Sequence, residues 1–222
     1  MYNRIWVERL RQIQYGDTIV DAGAFFGGFT QYAAKKVGPP GRVISFEPDP
    51  ENFAFLKNHT RHCTNVTLVN KALSDSEGRV AFQNNNHYSS MVIGCSSKSG
   101  CTVETTTLDK ELDRLGIKQV DLLKMNIEGA EILALAGAQK TLDRVSHLAV
   151  STHPVNGVST AVRLRNILST AGFAVLLKKR VLSTHHLDLY AFKQPTEQFF
   201  SSGQMKKARQ PGLQKTTLAQ GL

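Results

Sequence analysis

Short runs of apolar, often β-branched residues alternate with amphipathic segments of helical length along most of this chain. Buried strands are short apolar runs, whereas helices repeat their apolar positions every three to four residues, so the pattern separates the two. The first elements predicted are strands at Thr18–Asp21, Arg42–Phe46 and Val66–Asn70, with helices at Gly27–Val37 and from the N-cap Asp49 to about His62. Strands that alternate with helices in this way predict βαβ units and a parallel sheet.

The second half of the chain returns to this rhythm after an interruption. Residues 75–107 are rich in Ser, Asn and Gly, and we predict an insertion with edge strands at Arg79–Phe82 and Ser89–Ile93 that contacts the substrate. Beyond it we predict helices at Leu108–Leu115, Ala130–Ala138 and Ser159–Ala171, and strands at Val120–Met125, Leu148–Thr152, Phe173–Leu177 and Leu187–Phe192. A short loop joins the last two strands, which favours an antiparallel hairpin. The fold predicted is an α/β single domain with an open, seven-stranded, mostly parallel sheet.

Composition sets the limits of this domain. The 222 residues are 41% apolar and 20% charged, which is ordinary for a globular protein. We assign residues 1–194 to the domain and 195–222 to a basic tail without apolar periodicity, which we expect to be disordered. The net charge of +9 favours acidic partners such as RNA without specifying one. No stretch is apolar enough for a membrane span or a signal peptide, so we expect a cytoplasmic protein.

The spacing of cysteine and histidine argues against a metal centre. Cys63, Cys95 and Cys101 form no CxxC pair and have no paired histidine nearby. His185 and His186 have no third ligand close to them in sequence. We therefore expect no metal, and a surface position for these two histidines.

Candidate chemistry begins where the first strand meets the first helix. The stretch from Asp21 to Gly27 places glycines at this turn, and in open α/β sheets ligands bind outside the carboxyl ends of the strands. Glu47 ends the second strand, where an acidic residue can hold the ribose hydroxyls of a nucleoside. A full GxGxxG would indicate a pyrophosphate, but Phe25 occupies the second glycine position. The residues therefore favour a nucleoside without phosphates.

Five segments, in order, resemble the FkbM-type methyltransferases. They are VDAGAFFGGFT, ISFEPDP, NKALSD, TTTLD and LLKMNIEGAE, and the resemblance extends from about Asp17 to Lys193. It implies the class I methyltransferase (Rossmann-like) fold, with an antiparallel seventh strand, and S-adenosylmethionine as methyl donor. Two positions depart from the family pattern: Phe25 stands where Asn is common, and Asn126 stands where Asp is usual.

The resemblance also implies cofactor-binding roles for particular residues. The methionine part of the donor would be surrounded by Asp21, Gly23, Ala24 and Gly27, the ribose would be held by Glu47, and the adenine would lie near Ala72 and Leu73. Asn126 would face the sulfonium. Because an amide carries no charge, we expect it to weaken the donor's affinity or change a polar contact, without loss of fold.

A neutral alcohol acceptor must lose a proton when it is methylated. Lys124, Glu128 and His153 fall at the carboxyl ends of the fourth and fifth strands, around the same crevice, and are the candidates for this catalytic work. Glu128 could instead stabilise a helix start, and His153 could merely end a strand. We expect Asp109 to cap the helix that follows it.

These features favour an O-methyltransferase that acts on a hydroxyl of a small molecule or glycan. The basic charge keeps RNA methylation open as an alternative. Asn126 and Phe25 keep open a different class, a cofactor-binding module without activity.

Overall fold

A computed structural model of the chain describes residues 7–8, 11–85, 88–91, 101–179 and 187–193. The described strands are β1 (Thr18–Ala22), β2 (Arg42–Phe46), β3 (Val66–Val69), β4 (Ala72–Leu73), β5 (Gly78–Asn85), β6 (Tyr88–Met91), β7 (Cys101–Thr106), β8 (Val120–Met125), β9 (Val145–Thr152), β10 (Pro154–Val155), β11 (Val158–Ser159), β12 (Phe173–Lys179) and β13 (Leu187–Lys193). The described helices are α1 (Gly28–Val37), α2 (Pro50–His59), α3 (Leu108–Arg114), α4 (Glu131–Ala136), α5 (Gln139–Asp143) and α6 (Ala161–Thr170).

Seven strands form one main sheet in the order β12-β13-β9-β8-β1-β2-β3. Neighbours from β3 to β9 pair in parallel, whereas β13 runs antiparallel to both β9 and β12. The predicted open, mostly parallel sheet with an antiparallel terminal hairpin is therefore confirmed. The parallel strands all end at one edge of this sheet, which we call the carboxyl edge; their starts define the amino edge.

Both faces of the central strands are buried, which explains why they are almost continuously apolar in sequence. Successive side chains alternate between faces, so Ile19 of β1 packs with Phe29 and Val37 of α1. Its neighbour Val20 belongs to the core on the opposite face, together with Leu135. Two apolar layers thus hold the sheet in place and fix the ends of its strands.

The insertion forms a second sheet, in the order β4-β7-β5-β6, instead of edge strands on the main one. Strand β7 was not predicted, although it pairs in parallel with β4 through Leu73 and Thr106 and antiparallel with β5. The predicted strand at Ser89–Ile93 corresponds to β6 at Tyr88–Met91, and Ile93 lies outside the described residues.

The helix predicted at Ala130–Ala138 corresponds to the shorter α4, and the short helix α5 that follows it was not predicted. Gly137 lies against the backbone of Ser74, where a Cβ atom would overlap the Ser74 carbonyl oxygen. The carboxylate of Asp109 accepts hydrogen bonds from the backbone N–H groups of Lys140 (3.0 Å) and Thr141 (2.6 Å) and so caps α5. The expectation that Asp109 caps α3 was wrong, because Thr107 accepts from Lys110 there.

A small hairpin of β10 and β11, also absent from the prediction, follows β9. Its turn is Asn156-Gly157, with φ angles of 51° and 76°. An Asn-Gly pair is the strongest short-range signal of a two-residue hairpin, so this element could have been predicted. The hairpin lies next to the carboxyl edge, because a Cβ atom at Gly129 would lie 3.1 Å from Cγ2 of Val155.

Several expectations fall outside the described residues, namely the basic tail at 195–222, His185, His186 and Cys95. In the described part of the chain, no helix is long and apolar enough to cross a membrane. The same part contains no group of three metal-ligating side chains.

Candidate functional site

The turn between β1 and α1, residues 22–27, brings three strand ends together. The backbone N–H groups of Gly23 and Ala24 both donate to the carbonyl of Phe46 at the end of β2, at 3.0 Å. Gly23 has φ 77°, and a Cβ atom there would overlap the carbonyl oxygen of Asn126, just beyond β8. Glycine is therefore required at this position both for its conformation and for the close approach of the backbones.

The second half of the same turn is strained and carries aromatic rings. Gly27, with φ 85°, packs so closely that a Cβ atom would lie 2.7 Å from Cδ1 of Leu56. Phe25 has φ 52°, a left-handed conformation that is unusual for a bulky residue. Its half-exposed ring stacks on Phe26, with ring centroids 3.8 Å apart, and Phe26 in turn contacts Phe55 at 5.0 Å. Such strain is often retained at functional positions.

Glu47, just after β2, presents a buried carboxylate to this turn. One oxygen accepts from the Phe25 N–H at 2.8 Å and the other from the Asp49 N–H at 3.1 Å. Burial raises the pKa of the Glu47 carboxyl above its ordinary value, because the hydrogen bonds from Phe25, Asp49 and Asn52 offset only part of the desolvation. The predicted N-cap is confirmed: Asp49 accepts from Glu51 and Asn52 N–H groups at 2.9 Å.

Beneath the turn lies a buried ion pair between Lys124 and Asp21, with 2.7 Å between Nζ and Oδ1. The same Nζ donates to the carbonyls of Gly23 at 2.7 Å and Ala22 at 3.3 Å. The second oxygen of Asp21 accepts from Thr30 Oγ1 at 2.7 Å. The three protons of the ammonium thus meet three acceptors within the chain, which tie Lys124 to the turn.

Asn126 leaves β8 beside this turn, with its backbone N–H bonded to the Ala22 carbonyl at 3.0 Å. Its side-chain Oδ1 is buried and has no hydrogen-bond partner within the described residues. Such an atom costs about 1–3 kcal/mol relative to one that is satisfied. A ligand that donates a hydrogen bond at this point would remove that cost.

Ala72 and Leu73 are buried in β4, and the connection to β4 lies next to Glu47. The side chain of Asn70 donates to the carbonyl of Glu47 at 2.8 Å, and the Glu47 N–H donates to Val69 at 3.1 Å. The structure thus brings this apolar pair to the β2–β3 side of the carboxyl edge.

Glu128 and His153 meet on the other side of the edge, beyond β8 and β9. Glu128 Oε2 lies 3.4 Å from His153 Nε2, and Glu128 is held at φ 52°, the second left-handed non-glycine residue of the edge. The His153 ring is buried, whereas about a third of the Glu128 side chain is exposed, at 32%. His153 Nδ1 lies 2.7 Å from Oε1 of Glu131.

Glu131 is the residue that the sequence reasoning missed. It is fully buried at the first position of α4, and it accepts backbone hydrogen bonds from Ile127 at 3.3 Å and Gly129 at 3.0 Å. These two N–H groups flank Glu128. The signal that could have found it is the final Glu of the LLKMNIEGAE block, an acidic residue in the first turn of a helix.

Comparison with known proteins places the chain among methyltransferases. Residues 21–175 match the methyltransferase FkbM domain. The chain is similar to the hexuronic acid methyltransferase AglP of Haloferax volcanii, with 24% identity over 65% of this chain and 59% of that protein. It is also similar to the 2-O-methyltransferase NoeI of Sinorhizobium fredii, with 27% identity over 48% of this chain and 51% of that protein. The chain therefore spans little more than half the length of these curated relatives.

Solved structures share the fold. The FkbM methyltransferase of Methylobacillus flagellatus KT matches with a TM-score of 0.60 and 21% identity, over 85% of this chain and 48% of that one. Aeropyrum pernix fibrillarin, crystallised with natively bound S-adenosylmethionine, matches with a TM-score of 0.55 and 14% identity, over 81% of this chain and 67% of that one. At these identities the likeness concerns the fold, which is the class I methyltransferase fold. The match over residues 21–175 goes further and shows that the chain belongs to the methyltransferase FkbM domain family.

Proposed function

We propose that the chain is an S-adenosylmethionine-dependent methyltransferase that methylates a hydroxyl group of a glycan or another small molecule. The observation that carries the proposal is the pair of polar groups on either side of the Gly23 turn. On one side is the buried carboxylate of Glu47, and on the other is Oδ1 of Asn126, which lacks a partner within the described residues.

The chemistry of these groups fits the proposed donor. A carboxylate can accept from both ribose hydroxyls, and Glu47 retains lone pairs beyond its two backbone bonds. Asn126 Oδ1 can accept from the ammonium of the methionine part. Asp21, Gly23, Ala24 and Gly27 would shape the turn around that part, and Ala72 with Leu73 would provide an apolar surface for adenine. Phe25 disfavours a pyrophosphate at the turn, which separates this donor from a dinucleotide.

When bound, S-adenosylmethionine supplies an electrophilic methyl group on a sulfonium. The chain's own task is then to orient the acceptor and to take its proton. We assign proton removal to His153 through Nε2, and orientation of the acceptor to Glu128, whose carboxylate lies 3.4 Å from that nitrogen and is partly exposed. Lys124, predicted as a third catalytic candidate, is instead proposed to fix the turn through Asp21 and two carbonyls.

The acceptor class follows from two considerations. The relatives' names point to a sugar, because one is a hexuronic acid methyltransferase and the other a 2-O-methyltransferase. A hexuronic acid offers hydroxyls and a carboxylate as methyl acceptors. Only a hydroxyl needs a base, and the carboxylates of Glu128 and Glu131 beside His153 would repel an anionic acceptor. We therefore propose a sugar hydroxyl, giving an ether, over a methyl ester.

Methyl transfer from labelled donor to a panel of acceptors tests this function. The panel contains neutral oligosaccharides, uronic acid oligosaccharides and total RNA, and the products are treated with mild alkali. The proposal predicts label in a saccharide that survives alkali, since ethers are stable whereas methyl esters are hydrolysed. Label that alkali releases would show that a carboxylate is methylated instead of a hydroxyl. Label in RNA would show that the acceptor is RNA instead of a saccharide. If the donor binds but is not consumed with any acceptor tested, including a cell extract, the result would favour a cofactor-binding module without activity.

A further inference from the structure

We propose that Glu131 is a positioning residue that fixes the tautomer of His153, so that in the neutral ring Nδ1 carries the proton and Nε2 does not. The inference rests on the proposed function for its purpose, because a base is needed only if a hydroxyl is methylated. The tautomer itself can be measured without donor or acceptor.

The hydrogen bond between the two side chains determines which nitrogen is protonated. Glu131 Oε1 and His153 Nδ1 are 2.7 Å apart, a distance at which a proton must lie between them. Both oxygens of Glu131 already accept from backbone N–H groups, of Ile127 and Gly129, so the carboxylate acts as an acceptor on all its sides. The proton therefore belongs to Nδ1, so that whenever the ring is neutral the lone pair is on Nε2.

Nε2 faces a different carboxylate from Nδ1. The nearest carboxylate, that of Glu128, lies 3.4 Å away, beyond the usual range of an N–H···O hydrogen bond. Glu128 is also the partly exposed member of the cluster, whereas Glu131 is completely buried. Of the two carboxylates beside the ring, only that of Glu128 is partly open to an acceptor. Glu131 acts only through His153.

The same carboxylate also holds the loop that carries Glu128. The N–H groups of Ile127 and Gly129, on either side of Glu128, both donate to Glu131. These bonds stabilise the left-handed conformation of Glu128, which would otherwise be disfavoured. One buried group therefore sets the position of both candidate catalytic side chains, and its loss should affect them together.

The test is the tautomer of His153 in the full chain labelled with ¹⁵N-histidine. Long-range ¹H–¹⁵N correlation spectra distinguish a protonated ring nitrogen from an unprotonated one at a pH where the ring is neutral. The His153 signals are identified by their loss in His153→Asn. We expect Nδ1 to be protonated and Nε2 to be unprotonated in the wild-type protein. In Glu131→Gln we expect the population to move toward the Nε2-protonated form, which free imidazole side chains prefer.

Glu128→Gln provides the matched control, since it makes the same change of carboxylate to carboxamide on the other side of the same ring. It should leave the tautomer of His153 unchanged. A wild-type ring protonated at Nε2 alone, or a tautomer unaffected by Glu131→Gln, would overturn the proposal. If Glu131→Gln does not fold, the wild-type spectrum and Glu131→Asp, which retains the carboxylate and should retain the tautomer, still decide it.

Kinetics provide the readout that a merely structural role would not give. With a saccharide acceptor, Glu131→Gln should lower kcat by about 10²–10⁴-fold, as expected when a base is lost, while the donor Kd changes by less than about threefold. A rise in the donor Kd with unchanged kcat would contradict the proposal. Failure to find any acceptor would count against the proposed function but would leave the tautomer measurement intact.

Discussion

At the amino edge of the main sheet, the buried carboxylate of Asp17 accepts from both terminal nitrogens of Arg11, at 2.5 and 2.8 Å, and from the backbone N–H of Gln14 at 2.7 Å. At the carboxyl edge, the equally buried carboxylate of Glu47 is bonded to backbone N–H groups and has no cationic partner among the described residues, and burial raises its pKa. Asp17 therefore has a charged partner within the chain, whereas burial of Glu47 disfavours its ionised form.

The same contrast appears in two histidines near opposite ends of β9. His147, near the start of β9, lies with Nδ1 3.3 Å from the Asp121 carbonyl, and burial and the charge of Arg11 lower its pKa. His153, one residue past the end of β9, lies between the carboxylates of Glu131 and Glu128. Burial of a titratable group is therefore common to both edges and is not itself a sign of function. What distinguishes the carboxyl edge is the left-handed backbone of Phe25 and Glu128 and the buried Oδ1 of Asn126, which has no hydrogen-bond partner within the described residues.

The largest effect is expected from Lys124→Met, which leaves Asp21 buried without its cation. Because breaking a buried ion pair strands a charge, we expect the free energy of unfolding to fall by about 3–5 kcal/mol in urea titrations. Lys110→Met is the matched control, since Lys110 pairs with Glu77 at the surface, where such pairs contribute about 0–1 kcal/mol. Equal stability of the two variants would show that the turn does not depend on the pair.

The two histidines should differ in turnover. His153→Ala should lower kcat by about 10²–10⁴-fold, the usual contribution of a general base, with little change in donor affinity. His147→Ala, near the other end of β9, should leave kcat unchanged. Steady-state rates with a saccharide acceptor give both values. Normal turnover in His153→Ala would remove the base from the mechanism and leave positioning alone.

Substitutions of the two buried carboxylates should affect different properties: donor binding for Glu47 and the free energy of unfolding for Asp17. Glu47→Gln should weaken donor binding by about 1–3 kcal/mol, the loss typical of hydrogen bonds to a charged acceptor. Asp17→Asn should instead lower the free energy of unfolding by about 1–3 kcal/mol, since it weakens the bonds to Arg11, and should leave donor binding unchanged. Calorimetry and urea unfolding of both variants measure the two quantities. A collapse of unliganded Glu47→Gln would make Glu47 a structural residue.

The smallest effect concerns pH. Because the pKa of Glu47 is raised on folding, the folded state binds more protons, and this group makes the unliganded protein more stable as pH falls from the raised pKa toward about 4.3. Protonation also weakens donor binding, because the carboxylate is lost. The pKa of His147 is lowered, so the unfolded state binds more protons and stability falls as pH drops below about 6.5.

Urea unfolding of the unliganded protein between pH 4 and 7 measures the pH dependence of its stability. The difference between wild type and each variant gives the contribution of the substituted group. Relative to wild type, Glu47→Gln should lose the gain in stability on acidification, and His147→Gln should lose the decrease. A pH dependence that neither substitution changes would show that these two groups do not contribute to it.

The main sheet was predictable because its central strands are buried on both faces, so that runs such as Val120–Met125 are apolar whatever surrounds them. The short helix α5 was not predicted, because the carboxylate that caps it belongs to Asp109, 31 positions before Lys140 in the chain. The contact between Glu131 and His153 likewise joins residues 22 positions apart. Motifs located the carboxyl edge, whereas only the folded chain shows which carboxylate holds the ring.

Binding of a nucleoside methyl donor at the carboxyl edge can be measured by calorimetric titration of the full chain with S-adenosylmethionine, its demethylated product and NAD. Glu47 beside the Gly23 turn suits a nucleoside, and Phe25 obstructs a pyrophosphate. We expect micromolar binding of both methionine-derived nucleosides and no binding of NAD. Tight binding of NAD, with no heat from either nucleoside, would contradict this expectation.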